Sequence, residues 1–236
     1  MRCLLVLSLL LFDLASAQAH TNSMDKFQDR HAAGIALARA LKQYSRQPDT
    51  IVLALPRGGV PVAYEIAKAL HLPLDVFIVR KLGVPGSEEL AMGAIASGGV
   101  TYFNQDIIHD LHVSQAVIQH VIDKEKIELA RRETVYRGKA GTPDVKGKQI
   151  ILVDDGIATG ATMRAAVLAL RAGHAAKIIV AVPVADKKLS ERIDYEVDSL
   201  ICLLRVEHFY AVGAWYENFP QTEDEEVYFL LQQIRG

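Results

Sequence analysis

Residues 150–163 read IILVDDGIATGATM, and this stretch decides the fold that the sequence predicts. An apolar run typical of a buried strand leads directly into two carboxylates, Asp154 and Asp155. A loop of small residues and threonines follows, and the chain then takes up helical spacing. A strand, a small-residue loop and a helix in this order predict an anion-binding turn at a helix N-terminus.

Each part of this stretch has a chemical use. In the loop 156–162, backbone N–H groups can converge on an anion, and Thr159 and Thr162 can add hydroxyl donors. A carboxylate accepts two hydrogen bonds from a vicinal diol, so Asp154 and Asp155 suit the 2′ and 3′ hydroxyls of a ribose. The stretch therefore predicts a cradle for ribose 5-phosphate. The alternative is an ordinary strand–loop–helix connection with capping residues.

The rest of the chain alternates strands with helices in the same way. Apolar runs predict buried strands at 51–55, 74–79, 149–153, 177–184 and 200–204, with short strands at 94–95 and 101–103. Spacing and capping residues predict helices at 27–44, 61–70, 114–136 and 162–172, and from about residue 222 onward. Because the strands are continuously apolar, we expect an α/β fold with a parallel sheet flanked by helices. Ligands of such folds bind at the carboxyl ends of the strands.

Composition and charge exclude three classes of protein. The chain has 236 residues, 50% of them hydrophobic, with 28 acidic and 26 basic side chains and a formal net charge of -2. A disordered chain would have fewer apolar residues and more net charge. A nucleic-acid binder that relies on bulk positive charge would be basic. The two cysteines, Cys3 and Cys202, are too few for a disulfide-stapled scaffold.

The first 23 residues are set apart from the fold. Residues 3–12 read CLLVLSLLLF, preceded by Arg2 and followed by small-x-small sequences, which is the layout of a secretory signal. The apolar run is too short to span a bilayer, which requires about 20 residues. The alternative is that the functional chain begins at Met24. We expect one domain over residues 24–236, because no repeat or change of composition follows residue 23.

The stretch 150–163 closely resembles the phosphoribosyl-pyrophosphate signature of the type I phosphoribosyltransferases, and the resemblance extends over most of residues 24–236. Within that family the chain looks nearest to predicted phosphoribosyltransferases of undefined acceptor. The resemblance implies a small hood over the base and Mg²⁺ bound together with pyrophosphate. By position it makes Asp154 and Asp155 the ribose-binding acids. It gives the 5′-phosphate loop as Gly156, Ala158, Thr159, Gly160, Ala161 and Thr162.

A second motif, PRGGVP at residues 56–61, follows the first core strand, where the family places its pyrophosphate loop. The Arg57 guanidinium can bind phosphate oxygens as a fork, and Gly58 permits a close approach of the backbone. The resemblance also implies a cis peptide near Arg57–Gly58. A plain glycine turn is the alternative.

A basic pair, Arg80 and Lys81, is expected at the end of the second strand, on the same edge of the sheet. Lys81 resembles the family's further pyrophosphate-contacting residue, and a solvated strand end is the alternative. Arg80 is expected to point to the other face, because neighbours on a strand alternate. The lid of the family would fall within residues 83–147. Arg131 and Arg132, which lie in that interval, follow Glu128, and salt pairing along a solvated helix explains them better.

The stretch 208–219, HFYAVGAWYENF, is rich in aromatic residues for this chain. Members of the family stack the base on an aromatic side chain near the last strand. The candidates for such stacking are Tyr210, Trp215 and Tyr216. Core packing explains any one of them equally well.

The resemblance and the residues together predict a phosphoribosyltransferase, which is a pentosyl-transferring glycosyltransferase. It would move 5-phosphoribose from phosphoribosyl pyrophosphate to a nitrogenous base and release pyrophosphate. Arg57, Lys81 and Mg²⁺ would neutralise the leaving group. The eight histidines show no ligand spacing, so the metal would be held through the ligand. Ala158 stands where enzymes for 6-oxopurines carry an acid, which argues against a hypoxanthine–guanine type.

The alternative function is a non-catalytic regulatory protein that binds the same ligand. The predicted partners are small molecules, phosphoribosyl pyrophosphate and an unidentified base, without nucleic acid or membrane, and a homodimer is left open. Phosphoribosyl pyrophosphate is made and kept inside cells. We therefore expect a cytoplasmic enzyme of nucleotide metabolism, with export as the alternative if residues 1–19 act as a signal peptide.

Overall fold

The computed structural model describes residues 26–138, 141–194 and 196–235. The segment 1–23, with its two alternative interpretations, lies outside the described residues. The strands are β1 (Thr50–Ala54), β2 (Leu74–Val76), β3 (Val79–Val84), β4 (Ser87–Ala96), β5 (Thr101–Phe103), β6 (Gln149–Val153), β7 (Lys177–Asp186) and β8 (Ser199–Val206). The helices are α1 (Arg30–Ala40), α2 (Gly59–Leu70), α3 (Gln105–Asp110), α4 (Gln115–Arg137), α5 (Ala161–Ala172), α6 (Lys187–Asp194) and α7 (Asp224–Arg235).

A parallel sheet with the strand order β2-β1-β6-β7-β8 forms the centre of the fold. Its strands are apolar on both faces, so helices must cover both sides, and two apolar clusters fill the space between sheet and helices. β1 and β6 are direct neighbours, with Ala54 beside Val153 at their carboxyl ends. The loops that leave these two strands therefore start side by side.

Several helices begin at residues whose side chains favour a helix start. The Asp29 side chain accepts a hydrogen bond from the backbone N–H of Ala32 at 2.8 Å, which caps α1. Ser114 caps α4 in the same way, as predicted. α7 begins with three acidic residues, where the helix dipole favours negative charge. The helix predicted at 27–44 is divided into α1 and a short 3-10 turn, Lys42–Tyr44.

A second sheet, antiparallel and with the order β3-β4-β5, forms a hood that packs against α5. β3 and β4 are joined by a tight turn in which Gly86 has a φ of 82°. Strand pairing extends to Val84 and resumes at Ser87, so only Pro85 and Gly86 lie between the two strands. The pairing is irregular at Gly83.

The strand predicted at 74–79 ends earlier than expected. The chain leaves the parallel sheet after β2 and enters the hood at β3, through the buried residues Phe77 and Ile78. Lys81 therefore lies within a hood strand, opposite Ala94, and not at the end of a core strand. Its neighbour Arg80 forms an ion pair with Glu125 on α4.

The boundary between the two sheets is held by Arg137, at the end of α4. Its buried guanidinium donates hydrogen bonds to Asp75 Oδ1 at 3.1 Å, to the Val76 carbonyl at 2.5 Å and to Ser97 Oγ at 3.2 Å. Ser97 Oγ also accepts the backbone N–H of Ile78. These contacts fix the passage from β2 to β3 and join α4 and the hood to the edge of the core.

The short strand predicted at 94–95 is the end of a longer strand, β4, and the other predicted elements agree with the structure to within about three residues. Arg131 and Arg132 both pair with Glu128 along an exposed helix, which confirms the salt-pairing explanation. Hydrogen bonds from these two arginines lower the pKa of Glu128 to about 2. Among the described residues, no helix combines the length and the apolar character that crossing a membrane would require.

Candidate functional site

The loop between β6 and α5 encloses a pocket of about 170 Å³. Gly160, with a φ of 74°, directly precedes α5, and no side-chain hydrogen bond from the described residues caps this helix at Gly160. The N–H of Ala161 makes only a long contact, 3.5 Å, with Thr159 Oγ1. The first N–H groups of α5 are thus available to an anion, which the helix dipole also favours. The pocket is lined by Asp154, Gly156, Ile157, Ala158, Thr159, Gly160, Ala161, Thr162, Met163 and Val212.

Gly156 allows the segment after β8 to approach this pocket. A Cβ at Gly156 would lie 2.7 Å from Val212 Cγ1, closer than a real side chain tolerates. Val212 is thereby brought against the loop and forms one wall of the pocket. Three strand ends, those of β1, β6 and β8, contribute to the site.

Asp154 belongs to the pocket itself, and its Oδ1 accepts the backbone N–H of Asp155 at 2.9 Å. Burial and the neighbouring charge of Asp155 raise the pKa of Asp154 well above its ordinary value. Burial also raises the pKa of Asp155, although a hydrogen bond from Arg30 opposes this effect. Two acids at a buried strand end disfavour each other's charge, which is the arrangement expected where a ligand supplies hydrogen-bond donors.

Asp155 is held by residues from both ends of the chain. Arg30 Nε, on α1, donates to Asp155 Oδ2 at 2.8 Å, and the Tyr216 hydroxyl donates to the Asp155 carbonyl at 2.6 Å. Arg30 also donates to the Pro220 carbonyl at 2.6 Å and lies 3.7 Å over the ring of Phe219. The acidic motif is therefore tied to α1 and to the C-terminal segment at the same time.

The loop after β1 packs against the acidic pair. The cis peptide lies at Pro56–Arg57, one bond before the predicted position near Arg57–Gly58. A Cβ at Gly58 would overlap the Asp155 carboxylate, and one at Gly59 would lie 2.7 Å from the Val153 carbonyl. Glycine is required at both positions, because each backbone contacts the neighbouring loop directly.

Arg57 faces the start of α7. Its guanidinium lies 3.4 Å from Glu223 Oε2 and 3.7 Å from Asp224 Oδ1. Asp224 also accepts a hydrogen bond from the Tyr136 hydroxyl at 2.8 Å, and burial together with this contact raises the pKa of Tyr136 to about 12. The cation that the sequence assigns to pyrophosphate thus already has two anionic neighbours at the start of α7.

Lys81 approaches the site from the hood. It lines a second pocket, of about 480 Å³, whose rim includes Thr162 at the start of α5. It also lines a smaller pocket of about 180 Å³ with Ala161 and Arg164. The structure thus brings Lys81 to the helix end that closes the loop pocket, although it does so from a different sheet than the sequence indicates.

The three aromatic candidates occupy different environments. Tyr216 is buried, with its ring 5.7 Å from that of Phe27 and 4.9 Å from that of Phe219, so core packing explains it. Trp215 is half-buried, and its buried Nε1 has no hydrogen-bond partner among the described residues. Tyr210 is 88% exposed and keeps both ring faces accessible. Stacking on a base therefore remains a prediction for Tyr210 and Trp215.

Sequence reasoning missed three residues of the site: Arg30, Val212 and Glu223. A signal for Arg30 existed, because a basic residue in the first turn of a helix opposes the dipole unless it has an anionic partner. No sequence signal marked Val212, because a valine in an apolar segment does not stand out from its neighbours. Glu223 belongs to a run of acidic residues at the start of α7, where such residues are expected for any helix. Its contact with Arg57 is therefore visible only in the structure.

The described side chains do not form a metal cage of their own. In the described ranges, no three histidine, cysteine, aspartate or glutamate residues lie close enough together to hold a metal ion. Magnesium in phosphate-binding sites commonly takes only one or two carboxylates from the protein, with substrate oxygens and water completing the shell. The acidic pair fits such a limited contribution.

The chain matches known proteins over most of its length. The family model described as "Phosphoribosyl transferase domain" matches residues 23–217. Two curated Mycobacterium tuberculosis proteins, MT0597 and Rv0571c, are each 46% identical over 211 residues, and their names provisionally make them phosphoribosyl transferases. The match covers 89% of this chain but 47% of each relative, so the chain spans about half their length.

One solved structure is similar throughout. It is the protein TT1426 from Thermus thermophilus, with 36% identity and a TM-score of 0.81. The alignment covers 89% of this chain and 100% of that chain. The arrangement of the core sheet and the hood is therefore shared with a protein of known structure.

Proposed function

The chain belongs to the phosphoribosyl transferase domain family, and on this premise we propose that it transfers 5-phosphoribose from phosphoribosyl pyrophosphate to a nitrogenous base. The products would be pyrophosphate and the ribosylated base. The observation that carries this proposal is the pocket in which Asp154 and the uncapped start of α5 face the same space. A carboxylate beside an anion cradle suits a sugar hydroxyl and a phosphate on one ligand.

The reaction can proceed without a protein nucleophile. Departure of pyrophosphate from C1 leaves positive charge on the sugar and adds negative charge to the leaving group. Arg57 and Lys81 bind and orient the pyrophosphate and offset its charge, while the N–H groups of α5 hold the 5′-phosphate. The acidic pair after β6 receives the ribose hydroxyls and fixes the sugar between the two phosphate sites. The hood and the segment after β8 exclude water, which would otherwise hydrolyse the donor.

Magnesium is part of this proposal. When bound, Mg²⁺ neutralises pyrophosphate oxygens and makes pyrophosphate a better leaving group. The carboxylates of Asp154 and Asp155 are the side chains of this loop that could add a protein ligand or orient a metal-bound water.

The acceptor is proposed to be a nitrogenous base other than hypoxanthine or guanine. Ala158 provides no carboxylate at the position where enzymes for 6-oxopurines carry the acid that serves the purine ring nitrogen. Tyr210, fully accessible on the segment after β8, is available to cover a planar acceptor. The donor is an intracellular metabolite, and we propose a cytoplasmic location for this reason.

The experiment is a turnover assay with a panel of acceptors. The protein is incubated with phosphoribosyl pyrophosphate, Mg²⁺ and each base in turn, and pyrophosphate release is measured. We expect release with at least one base and none without protein. Tight binding of the donor without turnover over a broad panel would replace the enzyme by the alternative, a regulatory protein that binds the same ligand.

A variant pair links the assay to the site. Asp154→Asn combined with Asp155→Asn should abolish binding of ribose 5-phosphate, while the matched change at an exposed acid, Asp106→Asn, should leave it intact. Unchanged affinity in the double variant would overturn the assignment of the ribose site.

A further inference from the structure

A groove lies on the outer surface of the helices, away from the loop pocket. It runs between the second half of α1 and the end of α2 and has a volume of about 790 Å³. The side chain of Ile35 is 45% exposed at this groove. Exposed apolar surface with a charged rim is a common mark of a protein contact. The apolar lining of the groove consists of Ile35, Ala38, Ala69 and Leu70.

The rim of the groove is mainly basic. Arg39, Lys42 and Lys68 are exposed side chains among the residues that line it. Glu65 also lines the groove, but its Oε1 lies 3.0 Å from His31 Nδ1 and is therefore already engaged. A segment that fits this groove should combine large apolar side chains with an acid, since complementary charge favours one partner over others.

The outer face of α7 has this composition. Tyr228 and Phe229 lie three and four residues after Glu225, so the three side chains point to the same side of the helix. All three are exposed, Tyr228 to 46% and Phe229 to 58%. α7 thus presents two aromatic side chains and a carboxylate outward. The opposite side of the helix is buried in the core and consists of Val227, Leu230 and Leu231.

The groove and the outer face of α7 lie on one layer of helices, at opposite ends of it. α2 contacts both α1 and α7, and the Tyr64 hydroxyl on α2 donates to Gln233 Oε1 on α7 at 2.8 Å. The groove is at the end of α2, whereas α7 begins beside Arg57, just before α2 starts. A two-fold axis perpendicular to this layer exchanges both its sides and its ends. It therefore places α7 of each copy over the groove of the other.

We propose that the groove between α1 and α2 binds the outer face of α7 from a second copy of this chain, in a symmetric pair. Tyr228 and Phe229 supply the apolar contact, and Glu225 meets the basic rim at Arg39 and Lys42. Because exposed ion pairs contribute about 0–1 kcal/mol each, apolar burial provides most of the affinity and the charges select the arrangement. The interface uses no residue that lines the loop pocket, so this inference does not rest on the proposed function.

Charge reversal tests which surfaces meet. Sedimentation equilibrium of the full chain gives the dissociation constant of the pair in the wild type, in Arg39→Glu combined with Lys42→Glu, and in Glu225→Lys. Two-fold symmetry places each change in both contacts, so we expect each variant to weaken the pair by about tenfold or more. Lys188→Glu reverses an exposed charge on α6, outside both surfaces, and should leave the dissociation constant unchanged.

A mixture of the two variants gives the decisive measurement. In a mixed pair, the reversed groove of one chain faces the reversed α7 of the other, and the two unchanged surfaces face each other. We therefore expect the mixture to associate with nearly the wild-type affinity, although each variant alone pairs weakly. If both variants are folded by circular dichroism and their mixture still does not associate, the proposed arrangement is wrong.

An apolar substitution checks the same interface without a change of charge. Phe229→Ser should weaken the pair, whereas Leu111→Ser, at an exposed leucine outside both surfaces, should not. Equal dissociation constants for these two variants would contradict the proposal. A wild type that stays monomeric at every concentration measured would overturn it. So would a wild-type pair that both charge-reversal variants leave intact, because pairing would then use another surface.

Discussion

Gly58 lies directly against the Asp155 carboxylate, so closely that a methyl group on Gly58 would overlap Oδ2. The two residues belong to loops that leave neighbouring strands, β1 and β6, whose last residues are paired. The loop assigned to pyrophosphate and the loop assigned to ribose are thus one packed unit, and a change in either should be felt in the other.

Replacement of Gly58 by alanine tests this contact. We expect Gly58→Ala to displace Asp155 or the loop after β1, to cost about 1–3 kcal/mol in the free energy of unfolding, and to weaken phosphoribosyl pyrophosphate binding. Denaturant unfolding and calorimetry provide the two measurements. Gly141→Ala is the matched control, because a Cβ there meets no atom within 4 Å. Equal behaviour of the two variants would contradict the close packing.

The contact between Arg57 and α7 predicts competition with the ligand. Glu223 lies 3.4 Å from the Arg57 guanidinium, and pyrophosphate would have to displace it. We expect Glu223→Gln to increase the affinity for pyrophosphate by a few-fold, because exposed ion pairs contribute about 0–1 kcal/mol. Arg57→Gln should decrease the affinity, and Glu225→Gln, an exposed acid in the same helical turn, should leave it unchanged. A loss of affinity in Glu223→Gln would show that this acid helps the ligand.

The half-buried acid Asp154 predicts a pH-dependent gain of stability on its removal. Its pKa is raised in the folded state, mainly by burial, so the ionised form is disfavoured by folding. The stability penalty is fully present above the folded pKa and fades as the pH falls through it. Asp154→Asn should therefore have a higher free energy of unfolding than the wild type at neutral pH and should match the wild type at acidic pH.

Denaturant titrations of both proteins across this pH range give the measurement. Asp106→Asn, at an exposed position, should show no such gain. A gain that persists at acidic pH would point to a cause other than the buried charge.

The Arg137 network predicts a large loss of stability. Replacing the buried guanidinium by methionine removes its ion pair with Asp75 and its hydrogen bonds to Val76 and Ser97 at the passage between the sheets, and we expect a cost of about 3–5 kcal/mol. Arg131→Met changes an exposed arginine on the same helix and should cost about 1 kcal/mol or less. Chemical denaturation compares the two, and similar losses would show that the network is not what joins the hood to the core.

Substitutions at two tyrosines of the C-terminal segment should differ in their effect on stability. Tyr216→Phe removes the donor to the Asp155 carbonyl and should lower the free energy of unfolding by about 1–3 kcal/mol. Tyr210→Ala changes a side chain that is 88% exposed, so stability should stay the same. If Tyr210 covers the acceptor, this variant should raise KM for the base without changing donor affinity, and an unchanged KM would remove it from the site.

Much of the fold follows from local patterns. The strand 149–153 and the helices after Ser114 and Gly160 are governed by apolar runs, caps and glycine, all of which are visible within a few residues. The division of 74–79 between two sheets is different, because Arg137 and Ser97 determine it from other parts of the chain. A continuous apolar run contains no sign of such a boundary.

Some residues of the site could likewise be predicted from the sequence, and others only from the fold. The loop of small residues and Asp154 lie on one segment, so their proximity in sequence alone predicted a common pocket. Arg30 lies 125 residues before Asp155, and only tertiary structure brings the two together. Tyr216 illustrates the converse, since an aromatic that could have stacked on a base is used to hold the Asp155 backbone.

The packing of Val212 on Gly156 determines which changes near the pocket the fold can tolerate. The segment after β8 is anchored at Val212, where any larger residue at position 156 would push it away, while the side chain of Tyr210, two residues earlier, is exposed. A substitution at position 210 can therefore leave the loop between β6 and α5 undisturbed. The surface beside the pocket can thus change in chemistry while the pocket itself keeps its shape.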